Sequence, residues 1–204
     1  MIRSRKHNRA FTLIELLVCI TIFVIMTALL MAKYGNFNQS VLLTNLAYET
    51  ALQLRTAQNY GLSVKSVKDS SGADVLCNIN GTSFQCAYGI EFDMTTPTQF
   101  QLFAEPLTST DHTYNINNDT PINTYILKRG AKISGYCYGS VTVCISATVG
   151  KLDIMFRRPD PTAFIYYTNS SSALTPYSKI IIKGTDGSTR SISVSDIGQI
   201  SVDI

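Results

Sequence analysis

Few side chains in this sequence are of the types that carry covalent catalysis. Outside the first ten residues the only histidine is His112, which follows Asp111 in a polar stretch and is the one candidate base for a nucleophilic triad. Adjacent residues point to different sides of a chain, which separates these two groups. No phosphate-binding loop, dinucleotide fingerprint or zinc-protease motif is present. The sequence therefore predicts no enzymatic activity, no catalytic residues, no cofactor and no metal.

The five cysteines offer a choice between metal ligation and disulfide bonding. Cys77 and Cys86 are nine residues apart, and Cys137 and Cys144 are seven apart. Neither spacing matches the two-residue spacing of most zinc knuckles. Paired cysteines behind a membrane segment favour an oxidising, extracytoplasmic location. Each pair also encloses a turn signal, so we predict the disulfides Cys77–Cys86 and Cys137–Cys144, although four cysteines allow three pairings.

A single carboxylate, Glu15, interrupts an apolar run of 22 residues from Phe11 to Ala32. As a helix this run would be roughly 33 Å long, enough to cross a bilayer. A charge at the bilayer centre costs about 2.5 to 3.5 kcal/mol even on insertion scales, and such charges usually mark function. Glu15 therefore needs a positive partner. Cleavage between Ala10 and Phe11 would supply one, because the new α-amino group would lie one helical turn away or near the Glu15 of a neighbouring chain.

The formal charge of +3 comes from the N-terminus. Of 17 Lys and Arg and 14 Asp and Glu, 13 of each sign remain from Lys33 onward. The other basic residues, Arg3, Arg5, Lys6 and Arg9, precede the apolar run, so the positive-inside bias places the N-terminus in the cytoplasm and the rest of the chain outside. The balanced remainder lacks the overall field that attracts nucleic acid, and binding of that kind would need a local patch.

Three simpler interpretations of the N-terminus fit less well. A secretory signal peptide has a shorter apolar region and no reason to carry a carboxylate near its start. A lipoprotein signal needs a small residue before its cysteine, whereas Val18 precedes Cys19. An uncleaved membrane anchor leaves Glu15 without a partner.

The segment RAFTLIELLV, residues 9–18, resembles the cleavage and methylation motif of type IV prepilins and type II secretion pseudopilins. The resemblance implies that a prepilin peptidase cuts between Ala10 and Phe11 and methylates the amine of Phe11. It also implies that Glu15 pairs with the N-terminal amine of an adjacent subunit during assembly. The residue before the cut is usually Gly, so Ala10 implies slower processing.

Beyond Lys33, apolar residues at three- and four-residue steps predict an amphipathic helix that ends near Gly61. Joined to the apolar run, it would be roughly 75 Å long. In pilins the first half of such a helix packs against other subunits and the second half against the sheet of the head. We therefore predict an α+β, pilin-like fold, with a long N-terminal helix packed on an antiparallel β-sheet head. The predicted boundaries are a basic leader at 1–10, a transmembrane and filament-core helix at 11–32, its amphipathic continuation at 33–61 and an extracytoplasmic β-rich head at 62–204.

After Gly61 the sequence changes to short β-prone runs separated by Gly, Asn, Asp, Ser and Pro. The strands predicted from these runs cover 75–79, 83–92, 99–104, 125–128, 132–138, 141–146, 152–157, 163–167, 179–183, 189–194 and 199–202.

The tail also resembles, as a pattern of strands and turns, the head of the H-type minor pseudopilin and FimT-like group. The matching features are a strand with a Phe in LDIMFRRPDP, a following pair of strands, and a last strand that opens on Gly198-Gln199-Ile200. This resemblance implies a minor rather than a major subunit.

Two binding hypotheses concern the head. Basic residues in or near neighbouring predicted strands could form a DNA-binding patch, but acidic residues interleave with them, and Gln199 and Ser201 stand where DNA-binding members of the FimT-like group carry arginines. A sugar-binding platform is the second hypothesis, although sheet surfaces or subunit contacts are the favoured places for its tyrosines. The DNA patch would comprise Arg157, Arg158, Lys179, Lys183 and Arg190, and the platform Tyr136, Tyr138, Tyr166 and Tyr167.

The sequence thus predicts a structural subunit of a type IV pilus-like filament, held in the bacterial inner membrane before assembly. The expected partners are other pilin subunits, the prepilin peptidase, an inner-membrane assembly platform and membrane lipid. The alternatives are a pseudopilin of a type II secretion system, a DNA-capturing minor pilin of a competence pilus, and a tethered binding protein that keeps its leader.

Overall fold

We analysed a computed structural model of the chain, which describes residues 11–63, 68, 71–74, 86–106, 113–139, 144–145, 150–168 and 172–203. One helix and eleven strands are described. They are α1 (Leu13–Leu62), β1 (Cys86–Asp93), β2 (Gln99–Pro106), β3 (Thr120–Ile126), β4 (Lys132–Tyr138), β5 (Cys144–Ile145), β6 (Lys151–Phe156), β7 (Ala163–Thr168), β8 (Ser172–Thr175), β9 (Tyr177–Lys183), β10 (Thr189–Ser195) and β11 (Ile200–Asp203). The chain divides into two compact units, 1–38 and 39–204. The α+β, pilin-like class predicted from the sequence is confirmed.

In the first unit, the segment of α1 from Leu13 to Met31 is apolar apart from Glu15 and two threonines. From Leu13 to Met31 it is long and apolar enough to cross a membrane, and the large apolar side chains of this segment are exposed. A helix that is hydrophobic all round is found in a protein core or in a membrane.

In the second unit, α1 buries one stripe and exposes another. The buried residues, Leu43, Leu46, Ala47, Ala51, Leu54 and Ala57, recur at three- and four-residue steps, as the sequence predicts. They form one core with inward-facing residues of both sheets, including Ile90, Phe156, Ile182 and Val194.

The head contains two antiparallel sheets. The first has six strands in the order β3-β2-β1-β6-β7-β8, and the second has five in the order β11-β10-β9-β4-β5. Tyrosines connect the sheets, since the Tyr136 hydroxyl on β4 donates a 2.7 Å hydrogen bond to the Phe92 carbonyl on β1. The Tyr138 ring also stacks on Tyr167 of β7 at 4.3 Å between centroids.

Two strands differ from the sequence-based prediction. β3 begins at Thr120, whereas the predicted strand begins at Tyr125. β3 is an edge strand, and an edge strand tolerates a proline such as Pro121 near its start. β8 was not predicted, because its sequence, Ser172 to Thr175, is short and follows a serine run that is typical of a loop. The predicted strand 75–79 lies outside the described residues.

The C-terminal end of α1 fits closely against the head. A Cβ on Gly61 would overlap the Phe156 main chain at the end of β6. Gln58 donates hydrogen bonds to the carbonyls of Gly198, at 3.0 Å, and Pro161, at 3.2 Å. Gly198 has a φ of 82°, and a Cβ there would overlap the Pro161 carbonyl. The glycine that opens the last strand is therefore needed for both conformation and space.

Alanine normally stabilises a helix relative to glycine by roughly 0.5 to 1 kcal/mol. Because Gly61 faces Phe156, we expect the opposite sign for Gly61→Ala, a loss of about 1 to 3 kcal/mol in the free energy of unfolding. Guanidinium titration of the full chain in detergent, followed by circular dichroism, measures this change. The control is Asn59→Ala at an exposed position of the same turn, and equal stability of Gly61→Ala and the original chain would contradict the packing described.

Candidate assembly site at the start of helix α1

Thr12 caps the first turn of α1. Its hydroxyl oxygen accepts a hydrogen bond from the Glu15 backbone N–H at 3.3 Å, and its carbonyl accepts one from Leu16 at 3.2 Å. The Thr12 hydroxyl also lies 3.5 Å from a Glu15 carboxylate oxygen. Thr12 and Glu15 have the Thr-x-x-Glu spacing of a capping box, and the Thr12 hydroxyl satisfies one of the free N–H groups at the helix start. Our sequence reasoning did not assign this role to Thr12, although its spacing from Glu15 carries the signal.

The capping geometry fixes where Glu15 lies relative to the predicted cleavage point. Helix α1 begins at Leu13, two residues after Phe11, and Glu15 occupies its first turn. A carboxylate is favourable there because the helix N-terminus carries partial positive charge, whereas a free α-amino cation is unfavourable. No basic residue in the described part of the chain pairs with Glu15. A cation brought to this end of α1 would thus have Glu15 as its nearest counter-charge.

The described cysteines differ in their bonding. Cys137 and Cys144 form a disulfide between directly opposed positions of β4 and β5. Cys86 is disulfide-bonded as well, while Cys77 lies outside the described residues, so its pairing stays a prediction. Cys19 is a free, exposed thiol in the apolar part of α1.

The residues of the predicted DNA patch come from both sheets. Arg157 and Arg158 follow β6 in the six-stranded sheet, where the Arg157 guanidinium lies 4.5 Å from the centre of the Phe164 ring. Lys179 and Lys183 belong to β9 in the other sheet, and Lys179 forms a 2.8 Å ion pair with Asp203. This ion pair lowers the pKa of Asp203. DNA binding therefore stays a prediction without geometric support.

Arg190, the fifth residue of that patch, connects β10 to α1. Its guanidinium donates hydrogen bonds to the Thr44 hydroxyl at 3.0 Å and to the Ser40 hydroxyl at 2.9 Å. A half-buried guanidinium held in this way has a structural role.

We expect Arg190→Gln to lower the free energy of unfolding by about 1 to 3 kcal/mol, because two charge-assisted hydrogen bonds to α1 are lost. Denaturant titration of the full chain in detergent measures the loss. Lys183→Gln, at an exposed position of the neighbouring strand, is the matched control and should leave stability unchanged. If the two variants were equally stable, Arg190 would not hold sheet and helix together.

The hypothesis of a tyrosine platform for sugars is wrong. Tyr136 and Tyr167 are buried, and their rings meet at 6.4 Å in an edge arrangement. Tyr138 stacks on Tyr167, so three of the four rings join the two sheets. Sequence reasoning could not separate these rings from surface tyrosines because the ring contacts between β4 and β7 join distant parts of the chain.

A buried pair of carboxylates lies on the outer face of the six-stranded sheet. Glu91 and Asp153 occupy directly opposed positions of β1 and β6, and Glu91 forms an ion pair with Lys151. Asp153 is 0 % exposed. Burial and the neighbouring Glu91 raise the pKa of Asp153 well above its ordinary value, partly offset by the Tyr114 backbone and Lys151. Because no substrate reaches a fully buried group, the pair has a structural role.

Asp153 should make stability depend on pH. The pKa of Asp153 is raised in the folded chain. The stability that its protonated form contributes is therefore fully present below the pKa of the unfolded chain, about 4, and is lost as pH rises through the pKa of the folded chain. We expect the free energy of unfolding of the original chain, minus that of Asp153→Asn, to fall from pH 5 to pH 9. Asp160→Asn, at an exposed position, is the control. A difference that stays constant across this range would contradict ionisation of a buried Asp153.

No group of three or more His, Cys, Asp or Glu among the described residues is arranged to hold a metal ion. The only catalytic candidates, Asp111 and His112, lie outside the described ranges. The part of the chain that carries a recognisable chemical signature is therefore the start of α1.

A comparison with known protein families also identifies the start of α1. The family model of the prokaryotic N-terminal methylation motif matches residues 5–31. No significant match is found among curated proteins or solved structures. The motif indicates a subunit of the type IV pilin or pseudopilin type, a structural rather than enzymatic family. Together with the apolar helix, it also indicates membrane anchoring and, in general, assembly with other pilin subunits after processing by a prepilin peptidase.

Proposed function

We propose that this chain is a structural subunit of a type IV pilus-like filament, cleaved between Ala10 and Phe11, methylated at Phe11 and assembled through α1. The observation that carries the proposal is Glu15 in the capped first turn of an apolar, exposed helix. A charged carboxylate in an apolar setting is costly unless a positive charge lies beside it. Cleavage provides this charge as a new α-amino group, and assembly brings the amine of one subunit to Glu15 of another.

The rest of α1 supports assembly through this helix. In the second unit, Val41, Tyr48 and Leu52 are exposed on the face opposite the buried stripe. Apolar side chains that the head leaves uncovered favour contact with other subunits. Before assembly, the leader with its four basic residues stays in the cytoplasm and the head lies outside, where the Cys137–Cys144 disulfide is stable.

A pseudopilin of a type II secretion system remains the main alternative, since it would share all of these residues. A DNA-capturing minor pilin has less support because Lys179 is paired with Asp203 and Arg190 is bonded to helix α1. The minor role implied by the resemblance of the tail stays a prediction.

We expect Glu15→Ala to leave insertion and cleavage largely intact and to reduce incorporation into filaments by at least about tenfold, because the amine of the next subunit loses its partner. The variant is expressed in a bacterium with an active prepilin peptidase and assembly platform. Intact mass of the membrane-extracted chain reports cleavage, and immunoblots of sheared filaments report incorporation.

The matched control is Glu49→Ala, at an exposed position of α1 in the second unit. Its incorporation should equal that of the original chain. Normal incorporation of Glu15→Ala would remove the main support for the proposal, and so would an intact leader, Met1 to Ala10, on the original chain in that host.

A further inference from the structure

A short segment, residues 113–119, lies across the outer face of the six-stranded sheet. The Tyr114 ring packs on Phe103 of β2, with 5.0 Å between the ring centroids, and the Tyr114 backbone bonds to the Asp153 carboxyl of β6. Since β1 lies between β2 and β6, the segment crosses the central part of the sheet. We refer to residues 113–119 as the Tyr114 strap.

The Tyr114 strap is bonded within itself and belongs to no strand. The Asn115 N–H donates a hydrogen bond to a carboxylate oxygen of Asp119 at 2.7 Å, and the Asp119 N–H donates one to the Asn115 carbonyl at 2.8 Å. The next residue, Thr120, begins β3. The strap can therefore move as a unit while the strands keep their main-chain hydrogen bonds.

The carboxyl of Asp153 lies beneath the strap and is 0 % exposed. Among the described residues, no side chain donates a hydrogen bond to either of its oxygens. Glu91, directly opposed on β1, and Asp119, from the strap itself, are buried as well. The described cation that acts on Asp153 is Lys151, which already forms ion pairs with Glu91 and, at 3.5 Å, with Asp93. Because a buried charge without its own partner is costly, Asp153 is the carboxyl that keeps a proton.

The groups that face Asp153 act on it in both directions. Burial has the largest effect and raises the pKa of Asp153, and the carboxylates of Glu91 and Asp119 raise this pKa further. The Tyr114 N–H and the Lys151 ammonium lower the pKa of Asp153. The strap thus contributes to both sides, since it excludes water and brings Asp119, but also supplies one N–H donor.

Lifting of the strap would let water reach an ionised Asp153 and would carry Asp119 away from it. The loss of the Tyr114 N–H opposes this movement, but its effect on the carboxyl is smaller than that of burial. Two phenols also act near Asp153, that of Tyr166, directly opposed on β7, and that of Tyr136. Both stay neutral up to pH 9, because burial raises the pKa of each above its ordinary value.

We propose that the Tyr114 strap is a pH-sensitive device, which covers the outer face of the sheet while Asp153 carries its proton and lifts when Asp153 ionises. The head then has two surfaces. When the strap is closed, Ile116 is exposed at its turn and Phe103 is covered, and when the strap is lifted, Phe103 and the carboxyl pair reach water. The device works within one copy and does not depend on filament assembly.

Hydrogen exchange of backbone amides, measured by mass spectrometry on the full chain in detergent from pH 5 to pH 9, tests the proposal. The exchange rate of peptides that cover 113–119 in the original chain is divided by the rate in Asp153→Asn, which cancels the chemical dependence of exchange on pH. Lifting releases one proton above the ordinary carboxyl pKa of about 4. We therefore expect the ratio to rise by about tenfold per pH unit until Asp153 ionises beneath the closed strap, and then to level off.

The matched control is Asp160→Asn, at an exposed position, and the ratio of the original chain to this variant should stay constant. Glu91→Gln tests the strap even if Asp153→Asn does not fold. Without the opposed charge Asp153 ionises at lower pH, so the ratio of the original chain to Glu91→Gln should rise toward pH 9.

Two results would overturn the proposal. One is a ratio of the original chain to Asp153→Asn, or to Glu91→Gln where that variant alone folds, that stays constant from pH 5 to pH 9. The other is exchange of the 113–119 peptides that is no faster than exchange of β9 and β10. The strap would then open only when the whole head unfolds.

Discussion

The structure depends on one constraint, that a helix of 50 residues has far more apolar surface than its own chain covers. From Leu13 to Met31, α1 is apolar on every side, while in the second unit only one stripe is buried under the head. The first part must therefore be surrounded by lipid or by other chains. Glu15 makes this requirement specific, because lipid satisfies the apolar side chains around it but leaves its charge unpaired.

The head packs around the C-terminal part of the same helix. Both sheets contribute to the core under α1, and the last turns of the helix also bind the C-terminal strands through Arg55 and Gln58. Gly61 allows the helix to approach the end of β6. As a result, the helix packs on residues of both sheets, and a change in its last three turns acts on both sheets at once.

Local signals in the sequence were enough for the helix and for most strands. The three- and four-residue spacing from Leu43 to Ala57 predicts the buried stripe, and the cysteine spacing predicts the Cys137–Cys144 bond that the structure contains. The division of the strands into two sheets was not predicted, because strand order depends on contacts between distant segments. Arg190 illustrates the same limit, since its partners lie about 150 residues earlier in the chain and it was interpreted as a ligand-binding charge.

The edges of the two sheets have a consequence for how the subunit behaves while it waits in the membrane. Among the described edge strands, β11 has four residues and β3 contains Pro121, which has no N–H to donate. Long, regular edges pair readily with strands of other molecules, whereas short or proline-containing ones resist it. These features of β3 and β11 disfavour pairing between the strands of neighbouring heads, so contacts between heads depend more on their side-chain surfaces.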